Sequence, residues 1–215
     1  PEFVPNAVFH IYNRTNNKEH LFLDDQDRWH FFYTYRKFLM PYVRMYAYCL
    51  LDNHFHFQIR IKRTLEIKES CKMEFPINLS KAQKYFLEDI DNEVLVSKLV
   101  SWQFSRFFDS YSKYFNLKHN RKGNLFNRPF KRKMVEDENY FRNLICYIHT
   151  NPLKHYGMED YQEYPWSSFQ PMLNRDVFIP LEYAEIDSLF GSEASFFEAH
   201  QAWIELTRPS IFAFE

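Results

Sequence analysis

The sequence predicts an α+β fold: an antiparallel sheet with helices on one face and a second face left partly open. Three observations predict it. Residues 42–51 and 54–61 both read as alternating strands, and only Asp52-Asn53 separate them, which suits a tight antiparallel turn. Two longer stretches, near 25–39 and 93–117, read as helices rich in aromatic residues. Strand and helix signals then follow the order strand, helix, strand, strand, helix, strand, helix, which is that of a ferredoxin-like sheet.

Each element has a local reason. Residues 7–14 (Ala-Val-Phe-His-Ile-Tyr-Asn-Arg) are rich in β-branched and aromatic side chains and form the first strand, followed by the polar loop Thr15-Asn16-Asn17. Asp24 or Asp25 caps a helix that runs to about Leu39 and is closed by Pro41. In the second strand, Val43, Met45, Ala47, Cys49 and Leu51 are expected on one side, and Tyr42, Arg44, Tyr46 and Tyr48 on the other. The stretch 63–93 is polar and irregular and reads as an insertion with short helical pieces. A long helix is expected from about Glu93 to Leu117, and a further strand within Arg128–Val135. Asp137 caps a helix that the Asn151-Pro152 pair is expected to stop. Two units follow: 1–170, with its 63–93 insertion, and an acidic C-terminal helical appendage at 171–215.

Composition narrows the function. The 215 residues are 46% hydrophobic and 20% aromatic, enough for a sizeable aromatic core, and only three are glycine. No GxGxxG or Walker pattern is present, so a glycine-rich phosphate loop is excluded. Cys49, Cys71 and Cys146 are isolated, as expected for reduced, structural thiols. No run approaches the roughly 18 apolar residues of a membrane span, and the expectation is a cytoplasmic protein with no membrane partner. Net charge is −1, but its distribution is uneven. Ser110 through Val135 contains no Asp or Glu and carries Arg121, Lys122, Arg128, Lys131 and Arg132 among its cations, whereas Asp176 through Thr207 contains no Lys or Arg. The basic window suits a polyanion, or is a solvated basic loop.

The chemistry-bearing residues begin in the third strand. Alternation places His54, His56, Gln58 and Arg60 on one face and Phe55, Phe57, Ile59 and Ile61 on the other. Two imidazoles aimed into one cleft can hold a divalent metal; two half-exposed histidines bonded to water or carbonyls are the plainer alternative. Tyr147 and Asn151 lie four residues apart, so they share a helix face. A phenol and an amide oxygen on that face could meet the metal: Asn151 as third ligand and Tyr147 unbound, aimed at phosphorus. Such a set leaves coordination positions open, as catalytic Mg²⁺ or Mn²⁺ requires. The alternative for Tyr147 is a buried helix tyrosine; His149 points away from it and reads as structural.

Four motifs occur in order: Asn53-His54-Phe55-His56, then Gly123-Asn124-Leu125-Phe126 with Arg128, then Tyr147-Ile148-His149-Thr150-Asn151-Pro152-Leu153-Lys154, then Trp166-Ser167-Ser168. From about Phe9 to Ser168 the chain resembles the IS200/IS605-like single-tyrosine HUH transposases, and among them the REP-associated branch. The resemblance implies a ferredoxin-like fold, single-stranded hairpin DNA as substrate, a divalent metal and a covalent 5′-phosphotyrosine intermediate. It gives His54 and His56 the role of metal ligands, Asn151 that of third ligand and Tyr147 that of nucleophile. It allows either a monomer or a homodimer. Members often carry Met-Pro where this chain has Leu51-Asp52. Arg14, Arg121, Lys122, Arg128, Lys131 and Arg132 are the expected phosphate contacts, and Phe126 and Trp166 are candidates to stack on unpaired bases. A domesticated relative that binds structured DNA or RNA without cutting, and a metal-dependent hydrolase using water, are the competing readings.

Overall fold

The computed structural model describes residues 1–73, 79–90 and 92–211. Four strands, β1 (Val8–Arg14), β2 (Val43–Leu51), β3 (His54–Ile61) and β4 (Lys131–Val135), form one antiparallel sheet in the order β2-β3-β1-β4. Among the described residues eight α-helices accompany it: α1 (Asp25–Phe38), α2 (Thr64–Met73), α3 (Lys81–Glu88), α4 (Glu93–Lys118), α5 (Glu138–Tyr156), α6 (Phe169–Asn174), α7 (Tyr183–Phe190) and α8 (Glu193–Ile211). The insertion expected at 63–93 holds α2 and α3; its residues 74–78 and 91 lie outside the described residues. No helix among the described residues is long and apolar enough to cross a membrane.

The core lies under the apolar face of the sheet. Phe9, Ile11, Phe55, Phe57 and Ile59 are fully buried there. The helices α1 and α4 pack on one another and supply Phe31, Tyr35, Phe107 and Tyr111. Phe31 meets Phe55 at 5.2 Å between ring centroids and Phe107 at 4.8 Å, in tilted or edge-on geometry. Each such pair adds about 0.5–1.5 kcal/mol beyond the burial of its area. The N-terminus of α1 is held by Asp24, whose carboxylate accepts from the Asp27 N–H while Asp27 reaches back, a reciprocal cap.

Two local expectations are corrected. The strict alternation of β2 is broken by a bulge between Met45 and Ala47. Val43 and Met45 lie opposite Ile61 and Ile59 on the core face, whereas Ala47, Cys49 and Leu51 lie opposite Gln58, His56 and His54. One extra residue shifts the pleat by one, so everything beyond it changes face. The second correction concerns α5, which runs through Pro152 to Tyr156 rather than stopping there. Proline removes one backbone donor, but Pro152 and Leu153 are buried, and the last turn is tied to the sheet by the Asp52 N–H donating to the Tyr156 hydroxyl at 2.7 Å. The helix ends at Gly157, whose φ of +60° is the left-handed conformation of a helix C-terminus.

The helix α5 crosses the β2–β3 side of the other sheet face, leaving the β1–β4 side partly open. Gln58 Nε2 donates to the Phe141 carbonyl of α5 at 3.2 Å. Against the back of α5 lies α8, with Phe196 and His200 buried, and Phe190 of α7 buried beside them. The C-terminal helices therefore share the hydrophobic core with the sheet.

Candidate active site

Strand pairing decides which side chains meet on the open face. Tyr12 lies opposite His56, Arg14 opposite His54, His10 opposite Lys133 and Tyr12 opposite Lys131. Directly opposed residues share a face, so β1, β3 and β4 present His10, Tyr12, Arg14, His54, His56, Lys131 and Lys133 together. The His54 and His56 rings are 5.3 Å apart, nearly perpendicular.

The hydrogen bonds set the ring nitrogens. His54 Nδ1 meets Asn53 Oδ1 at 2.6 Å. An amide oxygen only accepts, so Nδ1 carries the proton and Nε2 keeps its lone pair. His56 Nδ1 meets His10 Nε2 at 2.9 Å. When that Nδ1–H donates to His10, Nε2 of His56 is likewise left with a lone pair. This is the arrangement by which a metal-binding imidazole is oriented from behind. Burial holds the rings neutral: it lowers His54 to about 4, with His155 and Arg14 adding to the effect. Burial, then Lys133, lowers His10 to about 4; burial also holds His56 well below its ordinary value, with His10, His54 and His155 contributing.

The helix α5 supplies the opposite wall. Asp137 caps it by accepting from the Tyr140 N–H at 2.7 Å. Tyr147, Asn151 and His155 recur at i, i+4 and i+8 on one helix face. The Tyr147 ring stands edge-on to His56 at 5.4 Å and to His10 at 5.9 Å. His155 stands 4.6 Å from His54. Asn151, one turn from each, therefore faces β3 between them. Its Nδ2 donates to the Tyr147 carbonyl at 2.7 Å, while its buried Oδ1 has no hydrogen-bond partner. A buried acceptor left unpaired costs about 1–3 kcal/mol. Burial raises the Tyr147 phenol above its ordinary value, and a hydrogen bond with the Asn151 side chain opposes that rise.

Among the described residues no group of three or more His, Cys, Asp or Glu side chains could hold a metal ion. The set on this face is of another kind: two imidazoles and one amide oxygen. The orphaned Oδ1 of Asn151, on the helix face turned to β3, and two rings whose Nε2 atoms make no hydrogen bond to described residues are donors of the kind a divalent cation accepting mixed nitrogen and oxygen ligands would take.

The expected phosphate contacts divide by strand phase and by loop structure. Arg14 is exposed beside His54, Lys131 is exposed on the same face, and Lys122 is exposed in the basic loop. Arg128 is exposed and paired with Asp109 at 3.1 Å. Arg121 is committed to the loop itself: it pairs with Glu19 and donates to Asn116 Oδ1 and to the carbonyls of Lys122, Gly123 and Asn124. Arg132, one residue out of phase with Lys131 and Lys133, turns to the core side, 4.4 Å over Phe3. Phe126 is buried against Phe108, and half-buried Trp166 packs on Trp29 and Arg28.

Sequence reasoning missed His10, Tyr12, Lys133, His155 and Trp203. The first three had a signal, because alternation along β1 and β4 puts them in phase with His54 and His56 once the strands pair. His155 was hidden by ending the helix at Pro152. Trp203, 6.3 Å from the Tyr147 ring, had no local signal, since only the docking of α8 brings it there.

No protein-family model matches the chain, and no curated protein does. The fold, however, is shared with a solved structure: it aligns with a TM-score of 0.54 at 14% identity, covering 81% of this chain and 84% of the other. That structure is of a REP-associated tyrosine transposase bound to a REP hairpin.

Proposed function

We propose that this protein nicks and rejoins single-stranded, hairpin-bearing DNA, with Tyr147 as nucleophile. The observation that carries the reading is the meeting of Tyr147 with His56, one turn from the unpartnered Oδ1 of Asn151. The shared fold with a hairpin-bound tyrosine transposase supports it. His54, His56 and Asn151 would hold a divalent cation such as Mg²⁺ or Mn²⁺. When bound, that cation offsets charge developing on the phosphate oxygens.

The chain's own residues account for the rest. Tyr147 Oη forms a bond to phosphorus as the bond from phosphorus to the 3′ oxygen breaks. The product is a 5′-phosphotyrosine and a free 3′-OH. The phenolic proton must leave and the 3′ oxygen must gain one, so the step is neutral in protons overall. Because burial raises the phenol, it needs an acceptor near its reacting position. His10 holds His56 from behind, and Arg14, Lys122, Arg128 and Lys131 face outward to receive phosphates. A second 3′-OH attacking the phosphotyrosine reverses the chemistry and joins new ends.

The test is covalent capture. Incubated with hairpin-bearing single strands and Mn²⁺, the wild-type protein should form an SDS-resistant adduct; Tyr147→Phe should lose it at least about a thousand-fold while staying folded. An adduct that survives in Tyr147→Phe moves the nucleophile elsewhere. Cutting without an adduct points to water as nucleophile. Hairpin binding indifferent to EDTA, with no adduct in wild type, makes the protein a non-cleaving binder.

A further inference from the structure

Beside Tyr147 the open face deepens into a cleft of about 620 Å³, within the range of sites that enclose a small organic group. Its floor is His10 and His56; its walls come from four different elements. The strands supply Tyr12 and Lys133, the first turns of α5 supply Asn139, Tyr140 and Asn143, and α8 supplies Trp203. Trp203 is placed by an anchor one turn earlier: His200 Nε2 meets His149 Nδ1 of α5 at 2.9 Å, in the buried seam between the helices.

The polar atoms of these walls are unclaimed. The Trp203 indole N–H, the side-chain amides of Asn139 and Asn143 and the Tyr12 hydroxyl make no hydrogen bond to any described residue, while Asp137, also on the rim, is used as the cap of α5. Lys133 is exposed, its ammonium 4.7 Å over the Tyr140 ring. Ordinary packing explains a half-buried tryptophan. Tyr12, Lys133, Asn139 and Asn143 are exposed around the same hollow, so their polar groups face solvent and are free to bond an incoming group. Flat rings together with free amides are the chemistry that holds a nucleobase: the ring covers a π-face and the amide reads an edge.

We propose that this cleft is a nucleobase subsite. It takes one unpaired base of the DNA strand next to the phosphate that Tyr147 attacks. The base stacks on Trp203, Asn139 and Asn143 read its polar edge, and Lys133 meets the adjoining phosphate. The inference rests on the nicking reading above and adds to it the origin of sequence preference at the cut. It also gives α8 a part in substrate recognition.

The test uses the full chain carrying Tyr147→Phe, so that no chemistry intervenes. Hairpin oligonucleotides with 2-aminopurine at one unpaired position at a time, on either side of the hairpin foot, report stacking as fluorescence quenching. One position should be quenched several-fold on binding. Adding Trp203→Ala should remove that quench and weaken binding about ten-fold, whereas Trp203→Phe should retain most of both. Asn143→Ala should keep the quench but flatten the preference among the four bases at that position. A quench that persists unchanged in Trp203→Ala, or binding with no quenched position, overturns the subsite. Adduct formation by the wild-type chain is scored separately: an adduct without a Trp203-dependent quench sinks the subsite and leaves the nuclease. A Trp203-dependent quench without an adduct does the reverse, and no binding to any oligonucleotide overturns both.

Discussion

Two buried histidine pairs in this protein have the same contact distance and different ends. His10 meets His56 at 2.9 Å, and His149 meets His200 at 2.9 Å. The second pair is closed. The Tyr48 N–H donates to Ser168 Oγ, the Ser168 hydroxyl donates to His149 Nε2, His149 Nδ1–H to His200 Nε2, and His200 Nδ1–H to the Phe196 carbonyl. Every ring nitrogen is used, and the chain of bonds ties β2, α5 and α8 together. The first pair is open: Nε2 of His56, like Nε2 of His54, has no partner among the described residues. Burial and residue type are alike in the two places. What separates a structural histidine from a candidate ligand is the lone pair left over after the internal bonds are counted.

That contrast can be broken by exchanging the same substitution between the pairs. His56→Ala should reduce adduct formation at least about a hundred-fold and cost less stability than His200→Ala, because it breaks one internal hydrogen bond where His200→Ala breaks two. His200→Ala should do the opposite. It leaves His149 with a buried unpaired donor, costs on the order of 2–4 kcal/mol and lowers the melting temperature by about 5–10 °C, as thermal unfolding would show. If both variants lost stability equally, the open pair would be structural as well.

A smaller effect sharpens the role of His10. His10→Ala should weaken Mn²⁺ binding about 10–100-fold, read by titration calorimetry without any DNA. His10→Gln should recover part of the loss, because its amide oxygen can accept from His56 Nδ1–H. Equal affinity in wild type and His10→Ala would show that His10 only fills space.

Acidification acts on both pairs, since burial lowers His10 to about 4 and holds His56 well below its ordinary value, as it does the rings of the second pair. An unfolded histidine takes its proton near 6.5, whereas burial lowers His200 to about 4 and holds His149 well below its ordinary value. Below 6.5 the unfolded chain therefore binds more protons than the folded one. The stability these rings confer is full above about pH 6.5 and is lost as pH falls from there towards 4 and below. For His200 alone the window spans about 3 kcal/mol. Denaturant melts at pH 7.5 and 5 should show that decline, and a smaller one in His200→Ala; a pH-independent midpoint would refute it.

The smallest expected change has an unusual sign. Asn151→Leu removes a buried oxygen that has no partner, so stability should stay within about 1 kcal/mol of wild type or rise, while adduct formation is lost. A clear loss of stability would mean that Asn151 is held for packing.

The fold was legible where local signals agreed. The Asp52-Asn53 turn, the Asp24 and Asp137 caps and the phase of β3 were all readable, because each depends on residues adjacent in the chain. The phase of β2 was not, since the bulge after Met45 is a cross-strand event that alternation within one strand does not reveal. The continuation of α5 past Pro152 was masked by a real local preference that buried contacts overrode. At the site the pattern is the same. His54, His56, Tyr147 and Asn151 could be singled out as candidates because each pair lies within one element. His10, Lys133 and Trp203 join them only through pairing and docking, which no single segment encodes.

The order in which the walls of the cleft occur along the chain has a consequence for a protein still being made. The strands with their histidines are translated first, α5 with its phenol later, and α8 with Trp203 later still. Folding follows synthesis from the N-terminus. A nascent polypeptide halted after α5 would contain the imidazoles and the phenol but lack the ring proposed to cover the neighbouring base. Selectivity for a cutting position would thus be acquired after the reactive groups themselves, and an interrupted translation product would be the less discriminating molecule.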